Sequence, residues 1–253
     1  MGGLNAVLEV SELGLCRGEK RLLEGLNFNL YAGQVLVILG PNGAGKSSLL
    51  LALNGLINHV EGEIKLQGAA LTDFSRLALA REVAWQGDLP PTEFGLTVQQ
   101  RLDLVSHDSA VDAAVAIAEL ALENLLPRAL GELSAGERQR VELAALMLRT
   151  APVWLLDEPT AHLDLKHQRQ CLQMLRREAQ QGRAIVVVLH DIQQAQAIAE
   201  QVILVDGKGN VAVGNALDML SQKRLSKLFD TPLIRQGEIL LADYMGDSDE
   251  SER

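Results

Sequence analysis

The octapeptide Gly40-Pro41-Asn42-Gly43-Ala44-Gly45-Lys46-Ser47 constrains this chain more than any other segment. It satisfies G-x-x-x-x-G-K-[ST] at all its fixed positions and lies between the apolar run Val35–Leu39 and a helical pattern over Lys46–Asn54. Strand, glycine-rich loop and helix in that order make a phosphate-binding loop. Glycines let the backbone wrap closely, so that successive N–H groups face phosphate oxygens, and the helix N-terminus adds partial positive charge. Lys46 supplies a full charge to the β- and γ-phosphates, Ser47 offers its hydroxyl to Mg²⁺, and Ser48 completes the expected nucleotide site.

Such a loop belongs at the end of a buried parallel strand. Val153–Leu156, Ile185–Leu189 and Val202–Val205 repeat the character of Val35–Leu39: short Val/Ile/Leu runs without alternation, as strands covered on both faces require. Helical patterns at Glu137–Arg149 and His167–Gln180 alternate with them, so the fold class is α/β. Residues 6–31 differ. Apolar residues alternate at Leu8, Val10 and Leu13 and again at Leu26, Phe28 and Leu30, with turn-formers at Gly14, Gly18 and Gly25. This predicts antiparallel strands flanking the main sheet. Residues 88–148 read as a helical insertion that follows Pro90-Pro91 and includes the Ala-rich stretch Ala110–Leu122. The expected organisation is one domain over 1–245. Its core and antiparallel part occupy 1–87 and 149–245, its helical part 88–148, and an acidic, disordered tail follows at 246–253.

Charge and cysteine usage narrow the function. With 23 basic and 33 acidic residues the net charge is −10, which argues against nucleic acid or anionic lipid as a direct partner. Cys16 and Cys171 lie far apart without metal-ligand spacing, as in a reduced compartment. No signal peptide is evident, and no apolar run approaches the roughly 20 residues needed to span a bilayer. Work at a membrane therefore requires other subunits.

Val153–Leu156 ends in Asp157-Glu158. Beside a phosphate loop, Asp157 is placed to hold Mg²⁺ through water, and Glu158 to orient or deprotonate an attacking water. Leu133-Ser134-Ala135-Gly136-Glu137 opens the preceding helix, with Ser134 as N-cap and Glu137 completing a capping box. That pentapeptide resembles the Leu-Ser-Gly-Gly-Gln signature of ABC ATPases. The family's order of phosphate loop, glutamine, signature, acidic strand and histidine recurs over residues 6–245. The resemblance implies a P-loop NTPase (RecA-like) core with an antiparallel β subdomain and an inserted α-helical subdomain. It also implies that Ser134, Gly136 and Glu137 close over the γ-phosphate bound by a second copy of the chain, in a head-to-tail sandwich. Gln86 matches the glutamine that senses Mg²⁺ and the attacking water, His190 the switch histidine at the γ-phosphate, and Ala161-His162-Leu163-Asp164 the loop that crosses the dimer interface.

Two departures stand out. Ala135 and Glu137 replace Gly and Gln in the signature. The aromatic residue that stacks on adenine in the family is expected at Cys16, which cannot stack; the neighbouring Arg17 guanidinium is planar and can. The resemblance implies ATP and Mg²⁺ as ligands, with Ser47, Gln86 and Asp157 around the metal and Glu158, His190, Gln86 and Lys46 as the catalytic set. The implied partners are the second copy, two integral membrane permease subunits and, indirectly, a periplasmic or extracellular substrate-binding protein. The implied location is the cytoplasmic face of the inner (plasma) membrane, held through the permease. The C-terminal stretch beyond Asp206-Gly207-Lys208-Gly209-Asn210, helical over Ala216–Phe229 and apolar again at Ile239–Leu241, is similar to importers of iron chelates, haem and vitamin B12. Leu15–Leu30 is also similar to the haem-exporter ATPase of cytochrome c maturation. A non-transport ABC ATPase is the other alternative.

Overall fold

The computed structural model describes residues 5–57, 60–87, 89, 95–106, 112–237 and 239–243. The chain opens with β1 (Leu8–Arg17) and β2 (Lys20–Leu30), paired antiparallel about a turn at Gly18, followed by β3 (Val35–Leu39) and α1 (Lys46–Leu53). β4 (Val60–Leu66) and the short β5 (Ala69–Ala70) return to the first hairpin, giving an antiparallel sheet ordered β2-β1-β4-β5. Then come α2 (Arg76–Glu82), β6 (Val83–Gln86), α3 (Val98–Ser106), α4 (Ala113–Glu119) and α5 (Ala135–Met147). After these, β7 (Val153–Asp157), α6 (Leu165–Gln180), β8 (Ala184–Val188), α7 (Ile192–Ile198), β9 (Gln201–Val205) and β10 (Val211–Asn215) complete the core. α8 (Ala216–Met219), α9 (Gln222–Phe229) and the hairpin β11 (Leu233–Gln236)–β12 (Ile239–Ala242) end the described chain.

The main sheet runs β10-β9-β3-β8-β7-β6, parallel except for the antiparallel edge β10. Both faces are covered, which is why its central strands carry unbroken apolar runs. Leu36, Ile38, Leu155, Val186 and Ile203 pack with the antiparallel sheet and α1. Their neighbours Val37, Trp154, Leu156, Val187 and Val202 pack against α5, α6 and α7. This is a P-loop NTPase core with an antiparallel β subdomain on one face and helices on the other. β3 sits between β9 and β8, so the loop that leaves its C-terminal end emerges mid-sheet, flanked by the ends of those two strands, with β7 beyond β8. Ligand sites of parallel sheets form at such strand ends.

The structure corrects two local expectations. Gly14 and Gly25 do not turn the chain; they lie inside β1 and β2, near register slips that follow Val10 and Leu13. A glycine within an apolar alternation marks a bulge as readily as a turn. Ala216–Phe229 is not one helix, because Leu220-Ser221 ends α8 and starts α9, with Ser221 extended at φ −72° and ψ 144°. The expected tail at 246–253, together with Pro90-Pro91 and Ala110, lies outside the described residues.

α3 is tied to α5 by an Arg101–Glu142 pair, Nη2 to Oε2 at 2.6 Å and Nε to Oε1 at 3.0 Å, both side chains largely buried. Removing one member leaves an uncompensated charge. Arg101→Ala is therefore expected to cost about 2 kcal/mol in denaturant unfolding. Arg101→Met combined with Glu142→Leu should recover most of that loss.

Candidate active site

The cleft at the end of β3 encloses about 470 Å³ and is lined by Asn42, Gly43, Gly45, Lys46, Ser47 and Ser48, with Glu158 and His190 across from them and Arg17, Lys20 and Leu22 at one side. α1 begins at Lys46 with no side chain capping its first turn, so the N–H groups there are left for an anion. Gly45 has φ 104°, a left-handed conformation that puts the loop N–H groups on one side and that a β-carbon would strain. Lys46 is buried. Its Nζ donates to the carbonyls of Gly40 at 2.9 Å and Pro41 at 3.0 Å. Burial lowers its pKa, and the charges of Glu158 and Asp157 act in the opposite sense. An uncapped helix start, a glycine cradle and a buried ammonium fit a polyphosphate.

β7 delivers the carboxylates. Asp157 is its last residue, half-buried, and Glu158 follows in a left-handed conformation at φ 51° that turns the chain out of the sheet. The Glu158 N–H donates to the Val188 carbonyl at 3.2 Å, pinning the turn to β8. The His190 imidazole Nε2 meets Glu158 Oε1 at 2.5 Å, both side chains about half exposed to the cleft. Ser47 at the head of α1 is exposed, and its hydroxyl, with Asp157, makes an oxygen donor set of the kind Mg²⁺ takes.

Other expected site residues lie elsewhere in the single subunit. Gln86 is buried at the end of β6. It donates from Nε2 to the Gly87 carbonyl at 3.1 Å, while its buried Oε1 has no hydrogen-bond partner among the described residues. It lines a separate groove with Arg76, Trp85, Arg101, Glu142 and Arg149, between the main sheet and α3–α5. Cys16 is exposed and is not among the groups lining the cleft, whereas Arg17 is. Both residues are exposed at the end of β1, past register slips that break its alternation, so the pattern of the strand does not choose between them. Lys20 and Leu22 were not singled out from the sequence. The signal for them was the pair of cations around the Gly18 turn, legible only once the hairpin is known to lie beside the phosphate loop.

Ser134 and Gly136 open α5, away from the cleft. The Ser134 Oγ accepts from the Glu137 N–H at 3.2 Å, and Glu137 Oε2 accepts from the Ser134 N–H at 2.8 Å, a complete capping box. A β-carbon on Gly136 would lie 2.6 Å from the His162 carbonyl oxygen, so glycine is required where α5 meets the loop after β7. Gln139 Nε2 fastens the same loop at the Pro159 carbonyl, 2.9 Å away. The hydrogen bonds from Ser134 hold the Glu137 carboxyl below its ordinary pKa. The stability it contributes is therefore present above the unfolded value near 4.5 and is lost as pH falls through the depressed folded value.

Comparison with known proteins places this geometry. The family model described as ABC transporter matches residues 23–161. A hemin import ATP-binding protein HmuV from Streptomyces coelicolor is 38% identical over 85% of this chain and 80% of its own length. One from Pseudomonas fluorescens Pf0-1 is 34% identical over 91% and 95%. Among solved structures, an inward-facing putative metal-chelate type ABC transporter superposes with a TM-score of 0.75 at 27% identity, over 94% of this chain and 96% of that one. The dimeric structure of a bacterial ABC transporter cassette superposes at 0.71 with 25% identity, over 83% and 98%.

Proposed function

This chain belongs to the ABC transporter family as an ATP-binding and ATP-hydrolysing subunit, and from that premise we propose that it powers import of haem or a closely related iron chelate through separate permease subunits. The observation that supports the cargo is its identity of 34–38% with hemin import ATP-binding proteins over 85–91% of its length. Those relatives also favour import over the export alternative. Among the described residues no helix is long and apolar enough to cross a membrane.

The proposed cycle uses two copies. The phosphate loop of one subunit and Ser134–Gly136 of the other enclose each γ-phosphate, which accounts for the separation of the two surfaces within a single chain. Lys46 holds the β- and γ-phosphates, and the Ser47 hydroxyl and Asp157 hold Mg²⁺. When bound, Mg²⁺ neutralises charge on the phosphates. Glu158 orients and deprotonates water, and His190, which already meets its carboxylate, orients that carboxylate and contacts the γ-phosphate. The helices α3, α4 and α5 form the helical unit, and the groove at Gln86 receives a helix of the permease at the cytoplasmic face of the membrane. A substrate-binding protein delivers cargo on the far side.

The test is reconstitution in vesicles with the permease subunits that co-purify with it. ATP-dependent accumulation of haem is expected. Uptake of a corrinoid or another chelate with no uptake of haem would reassign the cargo. The cleft lining carries a separate expectation. Among the described residues its side chains include no aromatic ring, so neither base is held by stacking, and ATP and GTP should be hydrolysed with kcat/KM values within about tenfold. A hundredfold preference for ATP would contradict this reading of the cleft.

A further inference from the structure

The serine that opens α5 is held by its own helix. Ser134 Oγ donates to Glu137 Oε2 at 2.8 Å while it accepts from the Glu137 N–H at 3.2 Å. The same carboxylate oxygen accepts from the Ser134 N–H at 2.8 Å. The hydroxyl has one proton, and that proton is committed to a carboxylate. Charge-assisted bonds of this kind are stronger than neutral ones. Arg128 lies 3.5 Å from the other carboxylate oxygen, and Arg140 also acts on the group. Two cations and the partial charge of the helix N-terminus offset part of the negative charge without removing it. A serine meant to donate to an anion thus begins from a competing anion three residues away.

We propose that Glu137 is a positioning residue that opposes closure of the ATP-bound dimer: its carboxylate holds the Ser134 hydroxyl away from the partner subunit's nucleotide and repels the incoming γ-phosphate. This rests on the reading that Ser134 and Gly136 face the γ-phosphate bound by the second copy. The closed dimer then forms at higher ATP than the remaining contacts require, and it opens sooner once phosphate leaves.

Glu137→Gln isolates the charge, because glutamine at the same helix position keeps the capping box. In a Glu158→Gln background, the ATP concentration that half-converts monomer to dimer on size-exclusion chromatography should fall about fivefold, a shift expected for one unit charge near a surface. In the otherwise native chain, KM for ATP should fall by a similar factor while kcat does not rise. Both shifts should shrink at high salt, and Tm should fall only by the small contribution of the charge itself, less than in Glu137→Ala. Glu137→Ala removes the box as well and should lower Tm, which separates capping from charge. A half-conversion concentration unchanged or raised in Glu137→Gln overturns the proposal. Ser134→Arg distinguishes the two layers. Loss of ATP-dependent dimers in that variant, with no shift in Glu137→Gln, overturns the brake alone. Dimers that persist in Ser134→Arg overturn the facing geometry and the brake with it.

Discussion

Glu158→Gln should reduce ATP turnover about a thousandfold while ATP-bound dimers accumulate on size-exclusion chromatography. The carboxylate stands at the end of a fully packed strand. Its position is set by the backbone bond from Glu158 N–H to the Val188 carbonyl at 3.2 Å and by the His190 contact at 2.5 Å. Glutamine is isosteric and still accepts from the imidazole, so the cleft keeps its shape and its affinity for nucleotide. What it loses is the basic oxygen that takes a proton from water. Removal of a positioned general base costs about a hundred- to ten-thousandfold. Binding survives and hydrolysis does not, so the closed state should become the resting state. Turnover within a few-fold of the native chain would remove Glu158 from the role assigned to it.

Lys46→Ala should act on the preceding step. The ammonium is the one buried cation in the cleft lining among the described residues, and its neighbours Asp157 and Glu158 are acidic. Without it, a polyphosphate meets loop N–H groups and two carboxylates with no central counter-charge. Hydrogen bonds to charged groups contribute about 1.5–3 kcal/mol each. Loss of two such bonds predicts nucleotide affinity weaker by at least about a hundredfold, measured by titration calorimetry. Fold stability should change little. The bonds from Nζ to the Gly40 and Pro41 carbonyls are lost, but so is the cost of burying an ammonium. An affinity within threefold of native would show that the loop backbone alone holds the phosphates.

Glu158→Gln and Lys46→Ala both rest on residues read from the chain before its fold, and the reason is local. A phosphate loop, a strand ending in two carboxylates and a capped helix start are each specified within about ten contiguous residues, by backbone conformation and buried periodicity. The strands Val35–Leu39 and Val153–Asp157 and the cap at Ser134 are of this kind. Gly14 and Gly25 misled because turn and bulge place the same demand on one residue, and only the partner strand distinguishes them.

What the sequence supplied by itself was therefore a candidate chemistry: a phosphate loop, two carboxylates expected beside it and, from the resemblance, a second anion surface in a separate segment. The tertiary structure decided which of these groups meet. It brought Glu158 and His190 together across β7 and β8, put Arg17 rather than Cys16 in the cleft, and held Gln86 apart in its own groove. It also locked the Ser134 hydroxyl onto Glu137. Side-chain direction along a strand and the rotamer of a cap depend on neighbours distant in sequence, and packing, not local pattern, selects among them.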